Sequence, residues 1–252
     1  MKLSDIADAL RIARESGETI ESFGDSLTLE QGYEIQELNK GKRLQIGEQL
    51  IGVKLGFTSI AKQEQMGLNM PIFGYLTDVM KVSETVSMKR FVQPKIEPEL
   101  LFKLSRPLSE AITIDDVEDY VEVVAVGLEI LDSRFRKYNF TLADAVADDT
   151  SAAAFVVGDW AAPDWKKIAD LTGTMDEDGI RRTSGVTSDI LGDPRMALVR
   201  LSEYVASTGQ TLPVGSLILS GAFTDAIPMK EGKTYSAEVE SIGSVSIKAV
   251  KE

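Results

Sequence analysis

The chain of 252 residues contains neither cysteine nor histidine. Without cysteine it has no disulfides, no thiolate metal ligands and no thiol nucleophiles. Without histidine it has no imidazole for a catalytic triad or a zinc site. Any acid–base chemistry must therefore be carried out by Asp, Glu, Lys, Tyr or water.

Basic residues are outnumbered by acidic ones, with 27 Lys and Arg against 40 Asp and Glu and a formal net charge of −13. This balance argues against nucleic acid or an anionic membrane as a partner. No apolar stretch approaches the ~20 residues of a transmembrane helix, and the N-terminus lacks the basic start and apolar core of a signal peptide. We therefore expect a soluble, cytoplasmic protein, and its 43% of hydrophobic residues is ample for a buried core.

Two glutamates occupy the apolar, strand-like stretch 96–102. In an extended strand, residues i and i+2 point to the same face, so Glu97 and Glu99 would present two carboxylates side by side. Pro98 between them indicates an edge, a strand start or a bulge. Burying two adjacent carboxylates is costly unless a cation lies between them. The stretch therefore predicts either a site for a hard cation such as Mg²⁺ or Mn²⁺, or a solvated strand face.

A third glutamate stands in the most continuously apolar run of the chain, residues 123–131, which is typical of a buried strand. Glu129 is the single carboxylate inside this run, and a carboxylate in such surroundings should be paired or coordinated. Together Glu97, Glu99 and Glu129 make a plausible metal face of three carboxylates. The third glutamate favours the metal interpretation over the solvated one.

The first 50 residues are predicted to be a helical segment packed on the rest of the chain. Apolar residues recur at helical spacing from Ser4 to about Ser16. Thr28 with Gln31 three residues on is the capping-box pattern of a second helix, which should run to about residue 42.

Residues 51–252 form the predicted catalytic domain, in which strands dominate. A helix should begin at Asp193-Pro194 and end at Gly209. Residues 66–78 are predicted to be loop-rich, and residues 134–149 irregular with one short helix. No Rossmann glycine fingerprint or P-loop is present. The predicted fold class is α+β with mixed sheets, with strands near residues 51–59, 96–104, 123–131, 216–221, 235–240 and 244–249.

Lys54 lies between two glycines in an otherwise apolar strand. Glycine permits the close approach of a ligand or a second strand. The pattern predicts either an ordinary solvated lysine or a cation that reaches a substrate anion. The small hydrogen-bonding residues 147–151 are a second candidate, with a simple cap or turn as the alternative.

These segments resemble the fumarylacetoacetate hydrolase superfamily, and more closely its branch of 2-oxopent-4-enoate hydratases and 4-oxalocrotonate decarboxylases from aromatic meta-cleavage pathways. The resemblance covers roughly residues 25–250. The chain departs from the family pattern at Asp149, where the family usually has Asn, and at Asp193, where the family has His before the proline. The matching segments, in family order and spacing, are Gly52–Ser59, Pro94–Glu99, Leu128–Arg134, Val146–Ser151 and Ser241–Val245.

The resemblance implies a fumarylacetoacetate-hydrolase-like strand-rich fold, a homo-oligomer and a Mg²⁺ or Mn²⁺ site at Glu97, Glu99 and Glu129. It implies 2-oxo acid substrates whose carboxylate and C2 oxygen chelate the metal, with Lys54 as a second positive charge. The other candidates are Ser220 and Gly221 for the metal-bound carboxylate, Asp78, Asp148 and Ser151 for proton, water or substrate contacts, and Arg134 and Lys95 for a second carboxylate.

Within this branch, details of the sequence favour the decarboxylase: the segments Pro94–Glu97, Met66-Gly67 before Pro71–Tyr75, and Tyr138–Phe140. The alternatives are the hydratase, an acylpyruvate hydrolase or an oxaloacetate decarboxylase. A different class of function is also open, because the hydratase and decarboxylase of such pathways are thought to associate. The chain would then serve mainly as a binding partner of the companion enzyme.

Overall fold

The structure, a computed structural model, describes residues 2–60, 63 and 70–251. The helices that it describes are α1 (Leu3–Ser16), α2 (Leu29–Gln45), α3 (Val117–Tyr120), α4 (Leu142–Ala147) and α5 (Arg195–Thr208). The strands are β1 (Leu50–Gly56), β2 (Ile72–Thr77), β3 (Thr85–Ser87), β4 (Lys95–Leu104), β5 (Val121–Leu131), β6 (Ala152–Val157), β7 (Thr172–Glu177), β8 (Ile180–Val186), β9 (Leu217–Ala222), β10 (Ile227–Pro228), β11 (Thr234–Val239) and β12 (Gly243–Val250).

The strands form two sheets. The larger has the order β2-β1-β9-β4-β5-β6, with the short β10 paired to β4, and the smaller has the order β3-β12-β11-β7-β8. All pairs are antiparallel except β1 with β9 and β12 with β3. Helices and mixed sheets together confirm the predicted α+β class.

The largest apolar core is built from both sheets and α5. It includes Phe102 of β4, Val124 of β5, Tyr235 of β11 and Ile247 of β12, each almost completely buried. The central strands β4 and β5 are therefore fixed by packing, and so are the side chains that they carry. None of the helices in the described ranges combines the length and apolar character that a bilayer span requires.

The second N-terminal helix begins where its capping residue predicts. The backbone N–H of Gln31 donates to Thr28 Oγ1 at 3.2 Å, and the Gln31 side chain accepts from the Thr28 N–H at 3.0 Å. Ile6 of α1 and Ile35 of α2 pack with Phe135 from the main body. The helical segment is thus joined to the rest of the chain by apolar contacts, whereas its division from residues 51–252 as a separate domain stays a prediction.

The prediction of a loop-rich segment over residues 66–78 is wrong for residues 72–77, which form the fully buried strand β2. The apolar residues before and after Gly74 are buried on both faces of this strand. Their burial outweighs the turn signals of Gly and Pro. Residues 66–69 of that prediction lie outside the described residues. The sequence reasoning also missed the hairpin of β7 and β8, because its strands are largely polar.

Candidate active site

The pairing of β4 with β5 brings three glutamates together. Glu97 lies directly opposite Glu129, and Glu99 follows on the same face of β4. One carboxylate oxygen of each residue lies within 4.8 Å of those of the other two. Glu99 and Glu129 are 0% and 1% exposed, whereas Glu97 is partly buried. The predicted three-carboxylate face therefore exists as a geometric feature.

A cation would stabilise the charges of this glutamate cluster. Burial, reinforced by the charges of Glu129 and Glu97, raises the pKa of Glu99 well above its ordinary value. Glu99 Oε1 and Glu129 Oε1 are buried and accept no hydrogen bond from any residue that the structure describes. Unsatisfied buried carboxylate oxygens are costly, and a hard divalent cation is the group that would satisfy them. The donor set fits such an ion.

Lys54 lies beside the glutamate cluster and is only 2% exposed, so the alternative of a solvated lysine is wrong. Its Nζ is 3.1 Å from Glu129 Oε2 and donates to the carbonyl of Thr150 at 3.2 Å. Burial lowers the pKa of Lys54, but the charges of Glu129, Glu99 and Glu97 outweigh burial, and the net shift is upward. The side chain is therefore an ammonium held at a fixed point.

A cavity of about 550 Å³ opens onto this ammonium, and Lys54 and Glu97 form part of its wall. The remaining wall mixes apolar side chains with hydroxyls, among them Phe57, Thr58 and Tyr138. A cavity of this size with a few convergent polar groups is the usual form of a small-molecule site. A small carboxylic acid fits this volume.

Ser220 and Gly221 lie beside the glutamate cluster and are not part of the cavity wall. The Gly221 N–H donates to Glu99 Oε2 at 2.9 Å, and Ser220 Oγ donates to the carbonyl of Leu100 at 2.9 Å. Gly221 has φ +100°, and a Cβ there would lie 2.0 Å from Thr58 Oγ1. Gly221 thus binds Glu99 directly and Ser220 binds the adjacent backbone, while the contact of either residue with a substrate carboxylate stays a prediction.

The turn after α4 is strained at the edge of the cavity. Asp149, Thr150 and Ser151 have φ of 53°, 53° and 59°, a run of three left-handed residues without glycine. Such backbone is unfavourable for L-residues and concentrates at functional sites. Thr150 and Ser151 line the cavity, so Ser151 lies where its predicted role requires.

Three of the predicted cations and acids lie away from the cavity wall. Arg134 and Asp148 form a buried ion pair with each other, which satisfies both charges, and their roles toward a substrate stay predictions. Burial raises the pKa of Asp148, and the charge of Arg134 opposes that shift. Lys95 lies over the ring of Tyr138, with Nζ 4.0 Å from the ring centroid.

Asp78 is also outside the site. It is exposed at the end of β2, where its Oδ1 accepts from the Gln49 N–H at 2.9 Å. Its assignment to proton or water handling stays a prediction that this position does not support. Several cavity residues received no role from the sequence, among them Thr58, Tyr138, Asp189 and Asp225. The position of Thr58 just after the glycine-flanked strand was the available signal for it.

Asp149 gives the folded chain an unusual pH dependence. Burial raises its pKa to about 7, although Arg14 and the Tyr75 N–H act in the opposite direction. A raised pKa means that the folded state keeps a proton that the unfolded state has lost. The contribution of Asp149 to stability therefore falls as pH rises from about 4 to about 7, and is constant above that range.

The Asp149→Asn variant should consequently gain stability at high pH. Asn retains an acceptor for the Tyr75 N–H, which donates to Asp149 Oδ1 at 2.9 Å. We expect the variant to be stabilised relative to the native chain by ~2 kcal/mol more at pH 8 than at pH 5. Urea denaturation of both proteins at the two pH values measures this difference. An equal effect at both pH values would contradict the shifted pKa.

Comparison with known proteins identifies relatives of the whole chain. The family described as "Fumarylacetoacetate (FAA) hydrolase C-terminal" matches residues 50–249. The chain is 38% identical to a 4-oxalocrotonate decarboxylase of a Pseudomonas species over 256 residues, covering 100% of both chains. It is 32% identical to a 2-keto-4-pentenoate hydratase of Paraburkholderia xenovorans, covering 96% of this chain and 92% of that protein.

A solved structure shows the same overall arrangement. It is a 4-oxalocrotonate decarboxylase from Pseudomonas putida G7 complexed with magnesium and adipate, and it superposes with a TM-score of 0.93 at 26% sequence identity. The match covers 98% of this chain and 97% of that one. The likeness therefore extends over both the helical segment and the strand-rich part.

Proposed function

The chain belongs to the fumarylacetoacetate hydrolase family, and we propose that it is a divalent-metal-dependent decarboxylase of 4-oxalocrotonate (2-oxohex-3-enedioate). The observation that carries the proposal is the glutamate cluster of Glu97, Glu99 and Glu129 beside the ammonium of Lys54 at a small-molecule cavity. The relative of the same length at 38% identity supports this substrate.

The proposed reaction breaks the bond between C5 and C6 of the substrate dianion. C6 leaves as CO₂, and the bonding electron pair moves along the conjugated chain to the oxygen on C2. One proton is then added to that oxygen, which gives 2-hydroxypenta-2,4-dienoate. The protein must therefore stabilise the negative charge that develops on the C2 oxygen. In many enzymes such electrostatic stabilisation is the largest contribution to the rate enhancement.

The chain's own groups meet that requirement. Glu97, Glu99 and Glu129 would hold the metal ion, which when bound acts as a Lewis acid toward the 2-oxo acid end of the substrate. The Gly221 N–H fixes the position of Glu99, and Ser220 holds the carbonyl of the adjacent Leu100. Lys54 places a second positive charge at the same end of the cavity. Thr58 and Ser151 provide hydroxyls in the wall.

The hydratase is the second candidate, because relatives of that activity are 32% identical over nearly the whole chain. Hydration requires a positioned water and a base to deliver it. The described cavity wall contains two carboxylates besides Glu97, those of Asp189 and Asp225. Either would be a candidate for that base.

An ultraviolet assay of the purified protein on two substrates separates the candidates. With Mg²⁺ we expect loss of the absorbance of 2-oxohex-3-enedioate with release of CO₂, and little turnover of 2-hydroxypenta-2,4-dienoate. Excess chelator should abolish the reaction. Preferential turnover of the dienoate would replace the decarboxylase by the hydratase. Absence of turnover of either compound would favour a chain that acts mainly as a partner of a companion enzyme.

The finer predictions on cofactor and assembly belong to the same proposal. The oxygen-only donor set suits Mg²⁺ or Mn²⁺, and we propose one of these as the physiological ion. Activity titrated with each ion in the same assay distinguishes them. Self-association, and a complex with the companion hydratase of a meta-cleavage pathway, stay predictions that sedimentation of the chain alone and of the mixture would test.

A further inference from the structure

A second cavity, of about 650 Å³, lies on the other side of the strained turn. Asp148 and Asp149 belong to its wall, whereas Thr150 and Ser151 line the first cavity. The rest of the wall comes mainly from α1 and α2. The proposed decarboxylation uses none of the side chains that these two helices contribute.

Buried polar atoms without a hydrogen-bond partner fall into two groups among the described residues. The first is the glutamate cluster with the neighbouring Thr150 Oγ1, for which the proposed metal site and substrate account. The second is Asn39 Oδ1, Arg43 Nη1 and Asp149 Oδ2, and all three residues line the second cavity. Asp149 is only 4% exposed. Unpaired buried polar atoms are uncommon, and a group of them around one cavity indicates a missing partner.

Most charged side chains in this wall form ion pairs with described residues, but Arg14 and Asp149 do not. Arg14 Nη2 donates to the carbonyl of Ala152 at 3.2 Å, and the structure gives neither side chain an ion pair with a described residue. Desolvation, with the charges of Arg134 and Arg43, lowers the pKa of Arg14 to about 10. The ion pairs already made in the wall are Arg11 with Asp8 and Glu15, Lys42 with Asp8, Arg43 with Glu48, and Asp148 with Arg134.

We propose that this second cavity binds a small hydroxycarboxylate anion. A carboxylate would accept from Arg43 Nη1 and neutralise the guanidinium of Arg14, which is the strong, charge-assisted pairing that arginine forms with carboxylates. A hydroxyl would donate its one proton to Asn39 Oδ1, and its oxygen would accept from Asp149 Oδ2 in the protonated form of that carboxyl group. A ligand with only one of these groups would leave part of the wall unpaired.

Calorimetric titration with glycolate, the smallest hydroxycarboxylate, tests this proposal. The titration is made with Mg²⁺-loaded protein and again with excess chelator, because without metal the glutamate cluster repels carboxylates. We expect saturable binding that persists in chelator and is at least ~5-fold tighter than that of acetate, which lacks the hydroxyl. Replacing Arg14 by Gln should weaken the chelator-resistant binding by at least ~10-fold.

Arg11→Gln is the matched control, because Arg11 lies on the same helix and in the same wall but is already paired with Asp8 and Glu15. It should bind glycolate as the native chain does. Decarboxylase activity should be near normal in both variants, which shows that they are folded. If Arg14→Gln fails to fold, Asn39→Leu takes its place and should lose the preference for glycolate over acetate. Absence of chelator-resistant binding, or equal loss in the Arg11 control, would mean a cavity that holds water only.

Discussion

Replacing Glu129 by Gln is expected to abolish metal-dependent activity. Glu129 is the most centrally placed member of the cluster, opposite Glu97 in the sheet and 3.1 Å from the ammonium of Lys54. The amide has one neutral acceptor oxygen in place of the charged carboxylate, so it holds a hard cation less strongly and displaces the substrate that the ion would orient. The same loss is expected for Glu97→Gln and Glu99→Gln.

A readout other than activity separates loss of the metal from loss of the fold. In chelator the variant should melt at a temperature equal to or above that of the native chain, because repulsion among three carboxylates is relieved. Added Mn²⁺ should raise the melting temperature of the native chain but not that of the variant. The control is Glu122→Gln, which should behave as the native chain. Glu122 is exposed on the same strand and is paired with Lys103. Native activity of all three cluster variants at limiting metal would place the metal elsewhere.

The glutamate cluster was accessible from the sequence because strand geometry is local. The two-residue period puts Glu97 and Glu99 on one face, and a carboxylate inside an apolar run must find compensation. Neither argument required knowledge of the fold. The register that sets Glu97 opposite Glu129 was not predictable in this way, since it depends on how β4 and β5 pair.

The hydrogen-bond and ion-pair partners of Arg134, Asp148, Ser220 and Gly221 were not predictable from the sequence, because they depend on the tertiary structure. The sequence shows that a charge or a small residue is present, but not whether it faces the cavity or a neighbour. Arg134 and Asp148 are 14 positions apart and neutralise each other, which the sequence does not reveal. The run of left-handed residues in the turn was equally hidden, because Asp, Thr and Ser are ordinary turn residues.

The second prediction for the active site concerns the replacement of Lys54, whose buried position the sequence alone did not establish. The ammonium has a fixed position, because Lys54 is 2% exposed and is held by Glu129 and the Thr150 carbonyl. Lys54→Met retains the approximate length of the side chain and removes its charge. We expect kcat/KM to fall by at least ~100-fold, the loss found when a preorganised charge is removed from a water-poor site.

Lys54→Arg should not restore activity, because the guanidinium is planar and wider than an ammonium. Space is tight here: a Cβ built on Gly74 would lie 3.1 Å from Lys54 Cδ. The matched control is Lys103→Met, which should keep native kinetics. Lys103 lies on β4 of the same sheet, and its Nζ is paired with Glu122.

The competing interpretation of Lys54 is a purely structural counter-ion for the three glutamates. That role predicts a less stable protein that turns over normally once metal is saturating, since the metal would then supply the missing positive charge. A direct role predicts the reverse: Mn²⁺ binding that is unchanged or tighter, because a repelling cation has been removed, with kcat/KM still reduced at saturating metal. Steady-state kinetics and Mn²⁺ binding, measured on the same Lys54→Met preparation, therefore decide between the two. Near-native turnover at saturating metal would remove Lys54 from the reaction and leave it as a counter-ion.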